Sequence, residues 1–78
     1  MVTPEQIQSY IGKGLSCTEV RVAGDGQHFE AFIVSEAFRG KTQVQRHQLV
    51  YAALGERMRV EIHALSMRTL TPEEAMGG

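Results

Sequence analysis

The sequence predicts an α+β fold in the order α-β-β-α-β-α around one mixed three-stranded sheet, and three observations lead there. Phe38 to Leu54 holds the longest helical periodicity, with Val44, His47, Tyr51, Leu54 and Met58 recurring every three or four residues. Two β-forming runs, Glu19 to Ala23 and His28 to Ser35, flank the turn-forming Gly24-Asp25-Gly26. Thr-Pro-Glu, a helix-start pattern, occurs near each end, at Thr3 and at Thr71.

Taken in order, Thr3 caps the first helix, Pro4 occupies a first-turn position where its missing N–H is harmless, and Gln6 can complete a capping box. Ile7, Tyr10, Ile11 and Leu15 form its apolar stripe, while Gly12 and Gly14 favour an end between Lys13 and Leu15. Cys17 follows as a lone thiol and reads as a small buried apolar residue rather than a redox or metal ligand. Val20 and Val22 share one face of the first strand. In the second, Phe29, Ala31 and Ile33 share one face, with His28, Glu30, Phe32 and Val34 on the other. Apolar residues on both faces make that strand the central one.

Phe38 is expected to anchor the next loop to the core, and Thr42 to cap the long helix. The stripe from Val44 to Met58 should lie on the sheet, leaving Gln45, Arg46 and Gln48 on a polar, partly basic outer face. Glu61 to Leu70 reads as the third strand, and a right-handed crossover through the helix makes it parallel to the second. Thr71-Pro72-Glu73-Glu74 opens a short last helix.

The 78 residues suit a single domain, 1–78, and a chain this short buries only roughly 60% of its extended surface, leaving little room for an enclosed active site. No apolar run approaches the roughly 18 residues of a membrane helix. The opening Met-Val-Thr-Pro-Glu-Gln has neither the basic region nor the apolar core of a secretory signal, so a cytoplasmic location is expected. One cysteine makes no internal disulfide, in keeping with a reducing compartment. A net charge of −1 offers nucleic acid no global attraction.

Three kinds of chemistry are open to these residues. Three histidines and one cysteine show no zinc-type spacing, which argues against a self-contained four-ligand site. His47, on the helical stripe, reads as a packed histidine with one hydrogen bond. His28 and His63 each stand near the beginning of a strand, and the two strands are parallel, so both lie at one end of the sheet. They are about 5 Å apart if the strands are neighbours and about 10 Å if one strand intervenes. The residues alone leave open a shared ligand or a coincidental pair. For DNA, Arg39, Lys41 and Arg46 cluster around the start of the long helix, with Arg57 and Arg59 beyond its end, but Glu36 and Glu56 interrupt them. No nucleophile–base pair is recognisable, and no enzyme activity is expected.

Phe38-Arg39-Gly40, Val44, Arg46-His47-Gln48, Ile62-His63-Ala64-Leu65-Ser66 and Thr71-Pro72-Glu73-Glu74, in that order, resemble the BolA family of small proteins. Gly24-Asp25-Gly26-Gln27-His28-Phe29 is similar to its short-loop bacterial branch, and the likeness covers most of the chain. The resemblance implies a type II KH-like fold. Nucleic-acid-binding KH domains carry a Gly-x-x-Gly loop. Here Gly40-Lys41-Thr42-Gln43 lacks the second glycine, so KH-type RNA binding is not expected.

The resemblance further implies pairing with a monothiol glutaredoxin and glutathione around a bridging 2Fe-2S cluster, with His63 matching the family's usual ligand. The family's second ligand comes from the loop between the first two strands. In this chain that loop has no cysteine, leaving His28 as the better chemical match and Asp25 as the residue nearest the ligand position. Two imidazoles opposite two thiolates would resemble Rieske-type ligation. Some members are described as transcriptional regulators, which makes DNA binding the alternative. The leading expectation is an iron–sulfur assembly or trafficking adaptor whose isolated chain is a folded, metal-free monomer.

Overall fold

The computed structural model describes residues 2–77. The elements are α1 (Pro4–Gly14), β1 (Glu19–Gly24), β2 (His28–Val34), a 3-10 turn (Glu36–Phe38), α2 (Gln43–Leu54), α3 (Glu56–Val60), β3 (Ala64–Leu70) and α4 (Pro72–Ala75). Threonine capping boxes start three helices: Thr3 with Gln6, Thr42 with Gln45 and Thr71 with Glu74. Each box satisfies two backbone N–H groups that the helix or its cap would otherwise leave unpaired.

The sheet order is β1-β2-β3, with β2 central, antiparallel to β1 and parallel to β3, in agreement with the α+β expectation. Alternation along β2 sends Phe29, Ala31 and Ile33 inward, where they form one core with Ile7 and Ile11 of α1 and Val50 and Leu54 of α2. Phe38 is fully buried in the same core, anchoring the turn after β2. Burial of each large side chain is worth about 1.5–3 kcal/mol, and this cluster holds both helices to one face of the sheet.

The long helix departs from its apolar periodicity in two respects. Gly55, at φ 60° and ψ −136°, ends α2, so Met58 belongs to the separate α3. The buried face of α2 consists of Arg46, Val50 and Leu54, whereas Val44 is 68% exposed and Tyr51 41% exposed. Apolar residues fill almost every position from Leu49 to Leu54, so more than one stripe is available. Arg46 permits the observed choice because its charge is compensated inside. Its Nε donates to the Lys41 carbonyl at 2.9 Å, Nη1 donates to the Thr69 carbonyl at 3.1 Å, and the Glu74 carboxylate accepts at 2.7 and 3.2 Å. A buried guanidinium is tolerated when both its charge and its donors are matched. The third strand also starts later than expected, at Ala64, because Glu61 retains helical backbone at the end of α3 and Ile62 turns into the core.

Candidate metal centre

His28 is the first residue of β2 and pairs in register with Ala64, the first residue of β3. His63 immediately precedes that partner, so the two histidines stand at the same end of neighbouring parallel strands. Of the two arrangements open to the sequence, the strand order selects the closer: the two strands are neighbours, about 4.8 Å apart, with His63 offset by one residue from the register partner of His28. Both residues are exposed. Because His63 lies in the bend before β3, strand alternation does not fix its orientation.

The hairpin leading into His28 is held by Asp25. Its Oδ1 accepts from the backbone N–H of Gln27 and of His28, each at 2.9 Å, and its own N–H donates to the His28 carbonyl at 3.2 Å. These N–H groups, His28 first, hold the Asp25 carboxyl below the usual carboxylate range. Gly24 completes the turn: a Cβ there would collide with the His28 carbonyl oxygen and lie 2.9 Å from Phe29 Cα. Among the described residues, no group of three or more His, Cys, Asp or Glu side chains is placed to hold a metal ion. The pair with its hairpin is therefore two-sided chemistry at most: two imidazole ligands, and one carboxylate already engaged with backbone.

The other candidate residues are dispersed. Arg46, expected on the outer face, is buried, so its guanidinium does not face solvent as a phosphate contact would. Arg39 is clasped by Glu36 at 2.9 Å and by Glu73 at 2.6 and 2.7 Å. Lys41 is exposed. Beyond α2, Arg59 pairs with Glu56, and the Arg57 guanidinium lies 4.0 Å from the Tyr10 ring centroid. No local pattern signals that Glu73 and Glu74 neutralise Arg39 and Arg46, because each pair is formed across the fold. His47 is half-buried, and its expected ring hydrogen bond is not found among the described residues. Cys17 packs against the core with Sγ donating to the Leu15 carbonyl at 3.3 Å, and burial pushes its thiol pKa up. Gln43, where a KH loop has its second glycine, accepts a hydrogen bond from the Thr69 hydroxyl at 2.9 Å.

A family model described as BolA-like protein matches residues 11–74. The chain belongs to the BolA family. It is 43% identical to the acid stress protein IbaG of Escherichia coli K12 over 70 residues, spanning 88% of this chain and 83% of that relative. A solved BolA homologue from Coxiella burnetii superposes with a TM-score of 0.86 at 49% identity, over 97% of this chain and 99% of the other. The DNA-binding transcriptional regulator BolA of Escherichia coli K12 is 36% identical over 55 residues, which are 70% of this chain and 52% of that protein. The BolA fold and its branch agree with what the sequence motifs implied.

Proposed function

We propose that this BolA-family chain is an adaptor in iron–sulfur cluster assembly or trafficking, pairing with a monothiol glutaredoxin and sharing a 2Fe-2S cluster with it. The observation that carries this reading is the exposed pair His28 and His63 at the starts of neighbouring parallel strands. The donor set suits the group. Neutral imidazole ligates iron, and two imidazoles opposed by two thiolates form a Rieske-type set. The thiolates come from the glutaredoxin and from glutathione. Exposure of both histidines leaves room for that partner, while Asp25 holds the hairpin from which His28 projects. Protons compete with iron for imidazole, so the shared cluster weakens in acid.

Related proteins are named as stress proteins or regulators, and the reading for this chain is likewise a binding role rather than catalysis, exercised by a cytoplasmic protein that is monomeric alone. No helix among the described residues is long and apolar enough to cross a membrane. The alternative of a DNA-binding regulator has weaker support. Among the described residues, Arg39 and Arg46 have carboxylate partners and Lys41 has none.

The test is to mix the chain with a monothiol glutaredoxin, iron, sulfide and glutathione, then record visible absorption and circular dichroism. A spectrum distinct from that of the glutaredoxin alone is expected. An unchanged glutaredoxin spectrum, with no complex on a sizing column, sinks the proposal.

A further inference from the structure

The outer face of the sheet carries a row of side chains that neither the core nor the histidine pair uses. Arg21 on β1, Phe32 on β2 and Arg68 on β3 are register partners, so they stand side by side on the face opposite the helices. The Arg21 guanidinium lies 4.7 Å from the Phe32 ring centroid, and its Nε is tied to Glu19 at 2.6 Å. Glu30 projects from the same face two residues before Phe32. Among the described residues, neither Arg68 nor Glu30 has an ion-pair partner. These side chains line an open depression of about 460 Å³.

We propose that this depression is a stacking site for single-stranded nucleic acid. Phe32 with its overlying Arg21 forms the platform for one base, Arg68 contacts the adjoining phosphate, and Glu30 accepts from the amino group of the base. Aromatic rings and guanidinium planes both stack on nucleobases without regard to sequence. The volume falls within the range of small-ligand sites, while the open shape suits a strand laid across the sheet. Duplex DNA is a poor occupant because its base faces are hidden in the stack. An acidic peptide would satisfy Arg68 but would bring its charge toward Glu30 and offer no planar group to Phe32. The Glu30 carboxylate also selects among bases. Cytosine, adenine and guanine carry an exocyclic amino donor, whereas thymine and uracil carry none. Arg21 and Arg68 are balanced by Glu19 and Glu30, so binding is weak, dominated by stacking, and shallow in its salt dependence, with a slope of about −0.7 for the one phosphate contacted. The site uses neither His63 nor the cluster, and it stands whether or not the adaptor reading does.

The test is an NMR titration of the full chain with short oligodeoxycytidine and oligodeoxythymidine, with cytidine monophosphate, inorganic phosphate and a glutamate-rich peptide in parallel. Oligodeoxycytidine should shift the amides of residues 21–23, 30–32 and 66–68 and bind more tightly than oligodeoxythymidine. Phe32→Leu and Arg68→Gln should each weaken it roughly tenfold, a loss typical of one stacked or charge-paired contact. Glu30→Gln should narrow the preference for cytidine over thymidine, and His63→Ala should change nothing. Arg68 is exposed, so its variant keeps the test decisive even if Phe32→Leu fails to fold. Absence of shifts at millimolar strand, shifts confined to the surroundings of Lys41, monophosphate binding as tight as the oligomer's, or equal shifts with the peptide would each overturn the proposal.

Discussion

The carboxylate of Asp25 accepts hydrogen bonds from the backbone N–H of both Gln27 and His28, each at 2.9 Å, and so fixes the point at which His28 leaves the hairpin. An oxygen already shared between two N–H groups is a poor candidate for iron, and the role that fits is to position the neighbouring imidazole. Asp25→Asn retains an acceptor oxygen and is expected to keep the shared cluster. Asp25→Ala loosens the turn and should cost roughly tenfold in cluster affinity, the lower end of what removing an orienting group costs a metal site. Cluster transfer to a chelator measures this, and amide exchange at His28 reports the turn independently. Loss of the cluster in Asp25→Asn, equal to that in His28→Ala, would instead make the carboxylate a ligand.

The two histidines should act on the cluster without acting on the fold. Both are exposed, so His63→Ala and His28→Ala are each expected within about 0.5 kcal/mol of the parent in thermal unfolding. His63→Ala should abolish the spectrum of the mixed complex, and His28→Ala should shorten the cluster's lifetime. A chelator should leave the melting curve of the isolated chain unchanged. Half-buried His47 is the control: His47→Ala should lower the melting temperature and leave the spectrum intact. A wild-type spectrum in His63→Ala would mean that the ligand lies elsewhere.

What could be foreseen from sequence was what local chemistry determines. Thr3, Thr42 and Thr71 cap helices because the residues three positions on, Gln6, Gln45 and Glu74, can answer them. Strand alternation placed Phe29, Ala31 and Ile33 in the core and Phe32 outside it. The inward face of α2 was not legible, because Leu49 to Leu54 is apolar almost throughout and the partner that admits Arg46 is 28 residues away in Glu74. For the same reason a basic outer surface was expected where two arginines are in fact held by carboxylates. Parallel strands brought His28 and His63 to one end of the sheet, but their adjacency required the strand order. The row of Arg21, Phe32 and Arg68 depends on register across three strands, which no local pattern specifies.

Arg46 is a structural residue, and its substitution should be felt in stability rather than in binding. Arg46→Met keeps much of the buried stem but leaves the Thr69 and Lys41 carbonyls without their donor. The expected cost is about 2 kcal/mol, equivalent to a fall of roughly 8–16 °C in Tm for a domain of this size. Lys41→Ala, at an exposed position, should stay within about 0.5 kcal/mol of the parent. If Arg46→Met melted with the parent and specifically lost DNA affinity, the guanidinium would have to be available to solvent after all.

The C-terminal helix is clasped to the domain by Arg39 to Glu73 and by Arg46 to Glu74, and this clasp carries an acid limit. The hydrogen bonds from Arg46, with the Thr71 backbone N–H second, hold the Glu74 carboxyl down at about 2, from an ordinary value of 4.5. Glu73 is lowered too, chiefly by Arg39, but that pair is exposed on both sides and more fully screened by solvent and salt. A carboxyl with a folded pKa below its unfolded value binds fewer protons in the folded state, so stability rises with pH through the interval between them. The contribution of Glu74 is therefore complete above pH 4.5 and is lost as pH falls from there toward about 2. Thermal unfolding measured between pH 7 and pH 3 should show a plateau followed by a decline below 4.5, the ordinary value of this carboxyl. Glu74→Gln keeps an oxygen for Arg46 and Thr71 but carries no charge to protonate, so it should lower the plateau and flatten the decline. Added salt should weaken the Glu73 contribution more than that of Glu74, because the Arg46 side chain is only 7% exposed. A Glu74→Gln variant with the parent's full acid decline would assign the acid sensitivity to other carboxylates.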